Sequence, residues 1–96
     1  MEQKVQLLHP VGKKAVRMDI GKYTIMKKAL LNGLKQKGEL THTEILHAII
    51  LNFERNKIKF EGSVEWYMES VKLDLEAVKL IERVTDKSQL KFRLVK

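Results

Sequence analysis

The spacing of the hydrophobic positions changes along the chain and divides it into strands and helices. Near the N-terminus apolar residues alternate with the polar Gln6 within residues 4–8, and residues 14–19 contain the apolar Ala15, Val16 and Met18, so both segments are typical of short strands. Pro10 and Gly12 lie between these two segments and favour a loop. We therefore predict that residues 1–19 form an N-terminal β-hairpin.

A first helix is predicted over residues 20–37, because apolar residues then recur every three or four positions. The apolar stripe consists of Tyr23, Met26, Leu30 and Leu34. Asp19 fits the N-cap, and Gly38 supplies a C-terminal stop. The helix should therefore present one face to the core.

A second helix is predicted over residues 42–55, after a short extended segment at Leu40. Thr41 and Glu44 have the spacing of a capping box directly ahead of an apolar run. That run is apolar almost all round the helix, so we expect this helix to be the most buried of the three.

A third helix over residues 64–80, capped by Ser63, leads into a β-hairpin over 81–95 with a five-residue polar tip at 85–89. The predicted core stripe of the helix consists of Val64, Tyr67, Met68, Val71, Leu75 and Val78. The whole order indicates an α+β protein that forms a single domain over residues 1–96.

Charge is distributed unevenly along these elements. The chain has 19 Lys and Arg against 12 Asp and Glu, a formal net charge of +7. Residues 1–37 contribute +7, residues 38–82 contribute −4, and residues 83–96 contribute +4. The basic excess therefore belongs to the two ends of the chain, whereas the segment with the second and third helices is acidic.

Composition excludes several classes of protein. The 96 residues contain no Cys, so neither disulfides nor thiolate metal sites are expected. No apolar run has the length of a membrane span, and the N-terminus has no apolar leader segment. We expect a soluble, cytoplasmic protein that does not contact membranes.

Two segments resemble the winged helix-turn-helix fold. Residues 38–45 are similar to the entry to its second helix, and residues 73–84 are similar to the end of its recognition helix and the start of its wing. The turn into the wing often contains Gly, but residues 78 and 79 are Val and Lys here. The resemblance implies a three-helix winged helix-turn-helix with a C-terminal β-hairpin wing, to which this chain adds an N-terminal β-hairpin.

A narrower resemblance rests on the N-terminal hairpin, residues 19–23, the capped second helix, Trp66 and residues 73–77. In these segments the chain resembles a family of small bacterial proteins with a winged-helix-like fold and no established activity. The shared residues are structural, so this resemblance implies a fold and no particular chemistry.

One functional hypothesis is nucleic-acid contact through the basic wing and the N-terminal elements, as in a transcriptional regulator. Cations that follow a phosphate backbone bind it without recognising base sequence. The candidate nucleic-acid-binding residues are Lys13, Lys14, Arg17, Lys28, Lys72, Lys87, Lys91 and Arg93. Glu65 and Glu69 lie where a recognition helix would approach bases, which argues against ordinary major-groove contact by the third helix.

The alternative is a protein–protein interaction or homodimerisation module without DNA binding. Trp66, Ser70, Leu73 and Ala77 form a second stripe on the third helix, away from its core stripe. Either the N-terminal hairpin covers this stripe, or Trp66 and Leu73 form the contact between two copies.

Enzymatic activity is not expected. His42 and His47 are five residues apart and point to different sides of a helix, so they are a poor metal pair. Gly12, Lys13 and Lys14 lack the second Gly and the Ser or Thr of a phosphate-binding loop. We predict neither a metal nor a cofactor, and we predict no catalytic residue.

Overall fold

Three α-helices and two small antiparallel sheets make up the fold in the computed structural model, which describes residues 3–12 and 16–95. The elements in chain order are β1 (Lys4–Gln6), β2 (Arg17–Asp19), α1 (Ile20–Lys37), β3 (Glu39–Leu40), α2 (His42–Arg55), α3 (Val64–Ala77), β4 (Ile81–Asp86) and β5 (Gln89–Leu94). The predicted α+β class is confirmed.

Each helix begins at its predicted cap. The side chains of Asp19 and Ser63 accept backbone N–H groups three residues further on, at 3.0 and 3.1 Å. At α2 the capping box is complete, because Thr41 Oγ1 accepts from the Glu44 N–H and Glu44 Oε1 accepts from the Thr41 N–H. All these hydrogen bonds satisfy N–H groups that have no partner within the helix. Those between Glu44 and Thr41 also lower the pKa of Glu44.

The predicted end of the third helix at residue 80 is wrong, since α3 ends at Ala77. Lys79 adopts a left-handed conformation with φ 64°, and this reverses the chain. The Leu80 N–H then donates to the Leu75 carbonyl at 2.9 Å, as in a Schellman motif. Lysine therefore occupies a position that helices usually give to glycine.

Replacing Lys79 with Gly should raise the free energy of unfolding by about 1 kcal/mol, because glycine adopts a positive φ without steric penalty. Lys28→Gly is the matched control at an exposed position inside α1, and it should lower the same quantity by about 1 kcal/mol. Urea denaturation followed by circular dichroism measures both. A loss of stability in the Lys79 variant would contradict the strain argument.

Two expectations about burial are also wrong. Only one face of α2 is buried, whereas Ile50 and Leu51 on its outer side are 37% and 50% exposed. The helix packs against α1 and α3 on one side, so an apolar residue on the other side has no neighbour to cover it. Val78 follows the end of α3 and is 45% exposed, so it does not belong to the core stripe.

The two sheets differ in size and position. β1 and β2 form the predicted N-terminal hairpin, in which Val5 is opposite Met18. Residues 14 and 15 of the predicted second strand lie outside the described residues. The second sheet has the order β3-β5-β4, so the two-residue strand between α1 and α2 pairs with the C-terminal hairpin. This pairing joins the hairpin to the helices.

The predicted five-residue tip of this hairpin is wrong, because pairing continues to Asp86 and Gln89. Only Lys87 and Ser88 remain as the turn, with φ of 48° and 70°. Positive φ at both central residues matches the twist of a two-residue hairpin, a conformation that usually favours Asn-Gly. The polar sequence alone suggested a longer loop.

The core lies between the three helices and the β3-β5-β4 sheet. Its largest fully buried side chains are Leu7, Met26, Leu30, Leu34, Ile45, Ile49, Met68, Val71, Leu75, Ile81 and Phe92. Gly33 lies where α1 meets α2, and a Cβ atom there would be 3.2 Å from the Cβ of Ala48. The absence of a side chain at Gly33 therefore allows the two helices to approach closely.

Candidate functional site

The candidate nucleic-acid-binding cations do not form one surface. Arg17, Lys28 and Lys87 are exposed, and none of them is within ion-pair distance of a described carboxylate. They belong to β2, α1 and the hairpin turn. Lys13 and Lys14 lie outside the described residues.

The two candidate cations on β5 already have acidic neighbours. Lys91 Nζ is 3.7 Å from Asp86 Oδ2. The Arg93 guanidinium donates to Glu82 at 2.6 Å and lies 3.5 Å from Glu39, and these carboxylates raise the pKa of Arg93. Ion pairs of this exposed kind are weak, but they neutralise the local field that a phosphate would meet.

The expected exposure of Lys72 is wrong, because the residue is 5% exposed. Its ammonium group donates to His42 Nδ1 at 2.8 Å and lies 4.2 Å from the centroid of the Phe92 ring. His42 Nε2 is in turn 3.1 Å from Glu65 Oε2. Burial lowers the pKa of Lys72, so this side chain is part of the contact between α3, α2 and β5.

Glu76 on α3 is also less accessible than its helix position suggests. Its side chain is 8% exposed, and Oε2 accepts a hydrogen bond from Arg83 Nε at 2.8 Å. Oε1 is buried without a hydrogen-bond partner among the described residues. The pair connects α3 to β4, which leaves Glu65 and Glu69 as the exposed acids on α3.

Trp66 is 47% exposed, so the N-terminal hairpin does not cover it. Its ring lies 4.9 Å from that of Tyr67, which in turn packs edge-on against Phe60 at 5.1 Å. Leu73, the other residue of the candidate interface, is partly buried. Trp66 is therefore the exposed end of an aromatic row that continues into the core.

Asp74 is a buried functional group that sequence reasoning missed. It is 5% exposed and accepts two hydrogen bonds, from the Leu8 N–H at 2.8 Å and from the Tyr23 hydroxyl at 2.6 Å. Partial burial and the neighbouring carboxylate raise the pKa of Tyr23. One carboxylate thus joins α3 to the N-terminal segment and to α1.

The stability of the protein should fall as the pH rises above about 10, the ordinary pKa of tyrosine. The folded protein keeps the Tyr23 proton at a pH where the unfolded chain releases it, so deprotonation favours unfolding. Tyr23→Phe should remove this loss of stability at high pH, whereas Tyr67→Phe, at the other tyrosine, should retain it. Urea denaturation between about pH 8 and 11 measures the difference. Equal pH dependence of the two variants would contradict the assignment.

Three adjoining depressions lie along α1, with volumes of about 430, 300 and 180 Å³. Asn32 lines all three. The first is bounded on its other side by the ends of β4 and β5, and the other two by α2 and the segment after it. Sequence reasoning missed this arrangement because its sides come from separate helices.

The residues that line these depressions include four cations, namely Lys28, Lys35, Lys37 and Arg55. Four amide side chains accompany them, namely Asn32, Gln36, Asn52 and Asn56. No carboxylate lines any of the three. We call the surface formed by these eight residues the α1–α2 surface.

The described residues contain no group of three or more His, Cys, Asp or Glu side chains placed to hold a metal ion. No helix among residues 3–12 and 16–95 is long and apolar enough to cross a membrane.

Comparisons with known proteins identify a family. The sequence profile of a family of unknown function, DUF6958, matches residues 4–92. No curated protein and no solved structure matches the chain. Because the match includes β1, all three helices and most of β5, this chain belongs to the DUF6958 family.

Proposed function

We propose that this chain is a non-enzymatic winged-helix protein that contacts nucleic acid. The winged-helix interpretation is supported by the order of α1, β3, α2, α3 and the C-terminal hairpin, and by the pairing of β3 with β5. In that fold the hairpin is the wing and α3 is the recognition helix.

One observation carries the nucleic-acid hypothesis: the charged side chains of α1 are all basic, whereas the exposed charged side chains of α3 are acidic. Glu65 and Glu69 occupy the outer side of α3, whereas α1 presents Lys28 and Lys35 and the wing presents Lys87 at its tip. The cations attract phosphates, and the acidic side chains of α3 repel them. The protein therefore contacts the backbone through elements other than its recognition helix.

Such a contact has a distinctive thermodynamic signature. Each phosphate that a cation neutralises releases condensed counterions, so the affinity falls with rising salt concentration. Specificity for base sequence is low, because the acidic face of α3 does not donate hydrogen bonds to purine edges. A regulator of this kind would act on nucleic-acid structure or accessibility.

Fluorescence anisotropy with a labelled 20-base-pair DNA duplex tests the proposal. The affinity should decrease about 10-fold or more between about 50 and 200 mM salt, and it should be similar for duplexes of unrelated sequence. Absence of binding at about 50 mM salt, or a salt-independent affinity, would refute nucleic-acid contact.

Self-association through α3 is the second candidate function, and the exposed Trp66 favours it. A large aromatic side chain that is 47% exposed is a frequent anchor of protein interfaces. Leu73 lies two turns along the same stripe, so a second copy of the chain would bury both residues. This contact would occupy the recognition helix and is compatible with nucleic-acid contact elsewhere.

Sedimentation velocity at about micromolar concentrations tests self-association. The expected result is a dimer that Trp66→Ala converts to monomer, whereas Leu90→Ala, a comparably exposed residue on β5, leaves it unchanged. A monomeric wild-type protein up to about 100 μM would exclude this function.

A further inference from the structure

We propose that the α1–α2 surface is the site that binds the phosphate–sugar backbone of nucleic acid. The inference rests on the proposed function and adds the place of contact. It assigns that contact to the outer side of the first two helices, with the wing and the N-terminal hairpin in a secondary role.

The charges on this surface are available to a ligand. Lys28, Lys35, Lys37 and Arg55 are exposed, and none is within ion-pair distance of a described carboxylate. Lys91 and Arg93 on β5, in contrast, are close to acidic side chains. No carboxylate lines the three depressions, so a phosphate bound there meets cations and amides.

Three of these cations also have a role within their own helices. Lys35, Lys37 and Arg55 occupy the last turns of α1 and α2, where a cation also stabilises the helix dipole. Lys28 lies in the middle of α1, where the dipole offers no such benefit. Lys28 lines two of the depressions together with Asn32, so one ligand can contact both side chains.

The neutral residues of the surface distinguish nucleic acid from an acidic protein. Amide groups such as those of Asn32 and Asn52 donate hydrogen bonds to phosphate and sugar oxygens, and Arg55 can bind a phosphate with two parallel hydrogen bonds. Ile25 and Ile58 line the same depression as these amides and offer an apolar wall to a sugar ring. This mixture of cations, amides and small apolar patches fits a nucleotide chain better than a row of carboxylates.

The close approach of α1 and α2 makes the surface continuous. Because Gly33 has no side chain, the two helices pack near enough for Asn32 and Asn52 to line the same two depressions. Lys37 of α1 and Arg55 of α2 line one depression, and Lys28 lines the next one along α1. Successive cations of this kind can follow a phosphate backbone.

The test compares two variants that lose the same formal charge. In the first, Lys28, Lys35 and Arg55 are replaced by Gln, and in the second, Arg17, Lys59 and Lys87 are replaced by Gln. All six residues are exposed. Circular dichroism and thermal unfolding confirm that both variants fold. Anisotropy titrations then use a labelled DNA duplex, single-stranded DNA and single-stranded RNA, with polyglutamate as a competitor.

We expect the first variant to bind about 100-fold more weakly at ~100 mM salt, with a salt slope reduced by about 3, and the second variant to lose less than about 5-fold. The three labelled probes establish whether a duplex or a single strand is preferred. Titration of the wild-type protein should also shift the side-chain amide NMR signals of Asn32 and Asn52.

The outcomes separate this inference from the proposed function. Equal losses of affinity in the two variants would overturn the assignment of the site to the α1–α2 surface, but would leave the proposal of nucleic-acid binding intact. Wild-type protein that binds none of the three probes would overturn both. Competition by polyglutamate at the same charge concentration would show a site for acidic polymers in general and would overturn its assignment to nucleic acid.

Discussion

Replacing Asp74 with Ala should lower the free energy of unfolding by about 3 kcal/mol. The carboxylate is 5% exposed and accepts hydrogen bonds from the Leu8 N–H and the Tyr23 hydroxyl. Without it, both donors lose their acceptor in a partly buried environment, and each unsatisfied group costs about 1–3 kcal/mol. The loss combines the detachment of the N-terminal segment with a weaker contact between α1 and α3.

Urea denaturation compares this variant with Asp86→Ala. The Asp86 side chain is 53% exposed and pairs with Lys91 at 3.7 Å, so its removal should cost less than about 0.5 kcal/mol. Asp74→Asn should fall between the two, because an amide has one acceptor oxygen for two donors. If Asp74→Ala and Asp86→Ala lose the same stability, the buried carboxylate does not have the role assigned to it.

Replacing Phe92 with Ala should cost about 4 kcal/mol, the largest effect of a single substitution that we expect. Phe92 is 1% exposed and lies in β5, opposite Leu40 of β3 and Arg83 of β4. Truncation opens a cavity between the sheet and the helices. It also removes the ring that lies 4.2 Å from the buried ammonium group of Lys72.

The two contributions can be separated experimentally. Phe92→Leu fills most of the cavity but removes the aromatic face, and Lys72→Met removes the cation at similar length. Each single variant loses the attraction between the ammonium group and the ring, and the double variant loses it only once. The variant with both Phe92→Leu and Lys72→Met should therefore be about 1 kcal/mol more stable than the sum of the two single effects predicts. Leu90→Ala, at a residue of β5 that is 44% exposed, is the control and should change stability little. Strict additivity would show that the ring acts through its volume alone.

The helix starts could be predicted from sequence because each depends on neighbours within three residues. Asp19, Thr41 and Ser63 cap their helices through contacts with residues 22, 44 and 66. The end of α3 and the hairpin tip could not be predicted in the same way. Both depend on lysine or serine at positive φ, a conformation that the sequence signals reserve for Gly and Asn.

The candidate site was less predictable than the fold, for a different reason. On a helical wheel Lys72 lies at the flank of α3, and only the positions of α2 and β5 decide that it is buried. The α1–α2 surface likewise depends on a short distance between α1 and α2. Gly33 permits this close approach, but a glycine in the sequence does not predict it. Lys28 was found by its charge within a basic segment, whereas Arg55 lies in an acidic segment and Asn52 is uncharged, so neither was singled out.

The shortness of β3 has a mechanical consequence for the hairpin. Only residues 92 and 93 of β5 have strands on both sides, because β3 pairs with these two positions alone. The rest of the hairpin is a two-stranded ribbon that extends about 17 Å from Phe92 to Lys87. The ribbon is held by a third strand only at β3, so a rotation of about 10° there displaces its tip by about 3 Å. A rotation of this size at β3 would therefore move Lys87 by nearly the width of an atom.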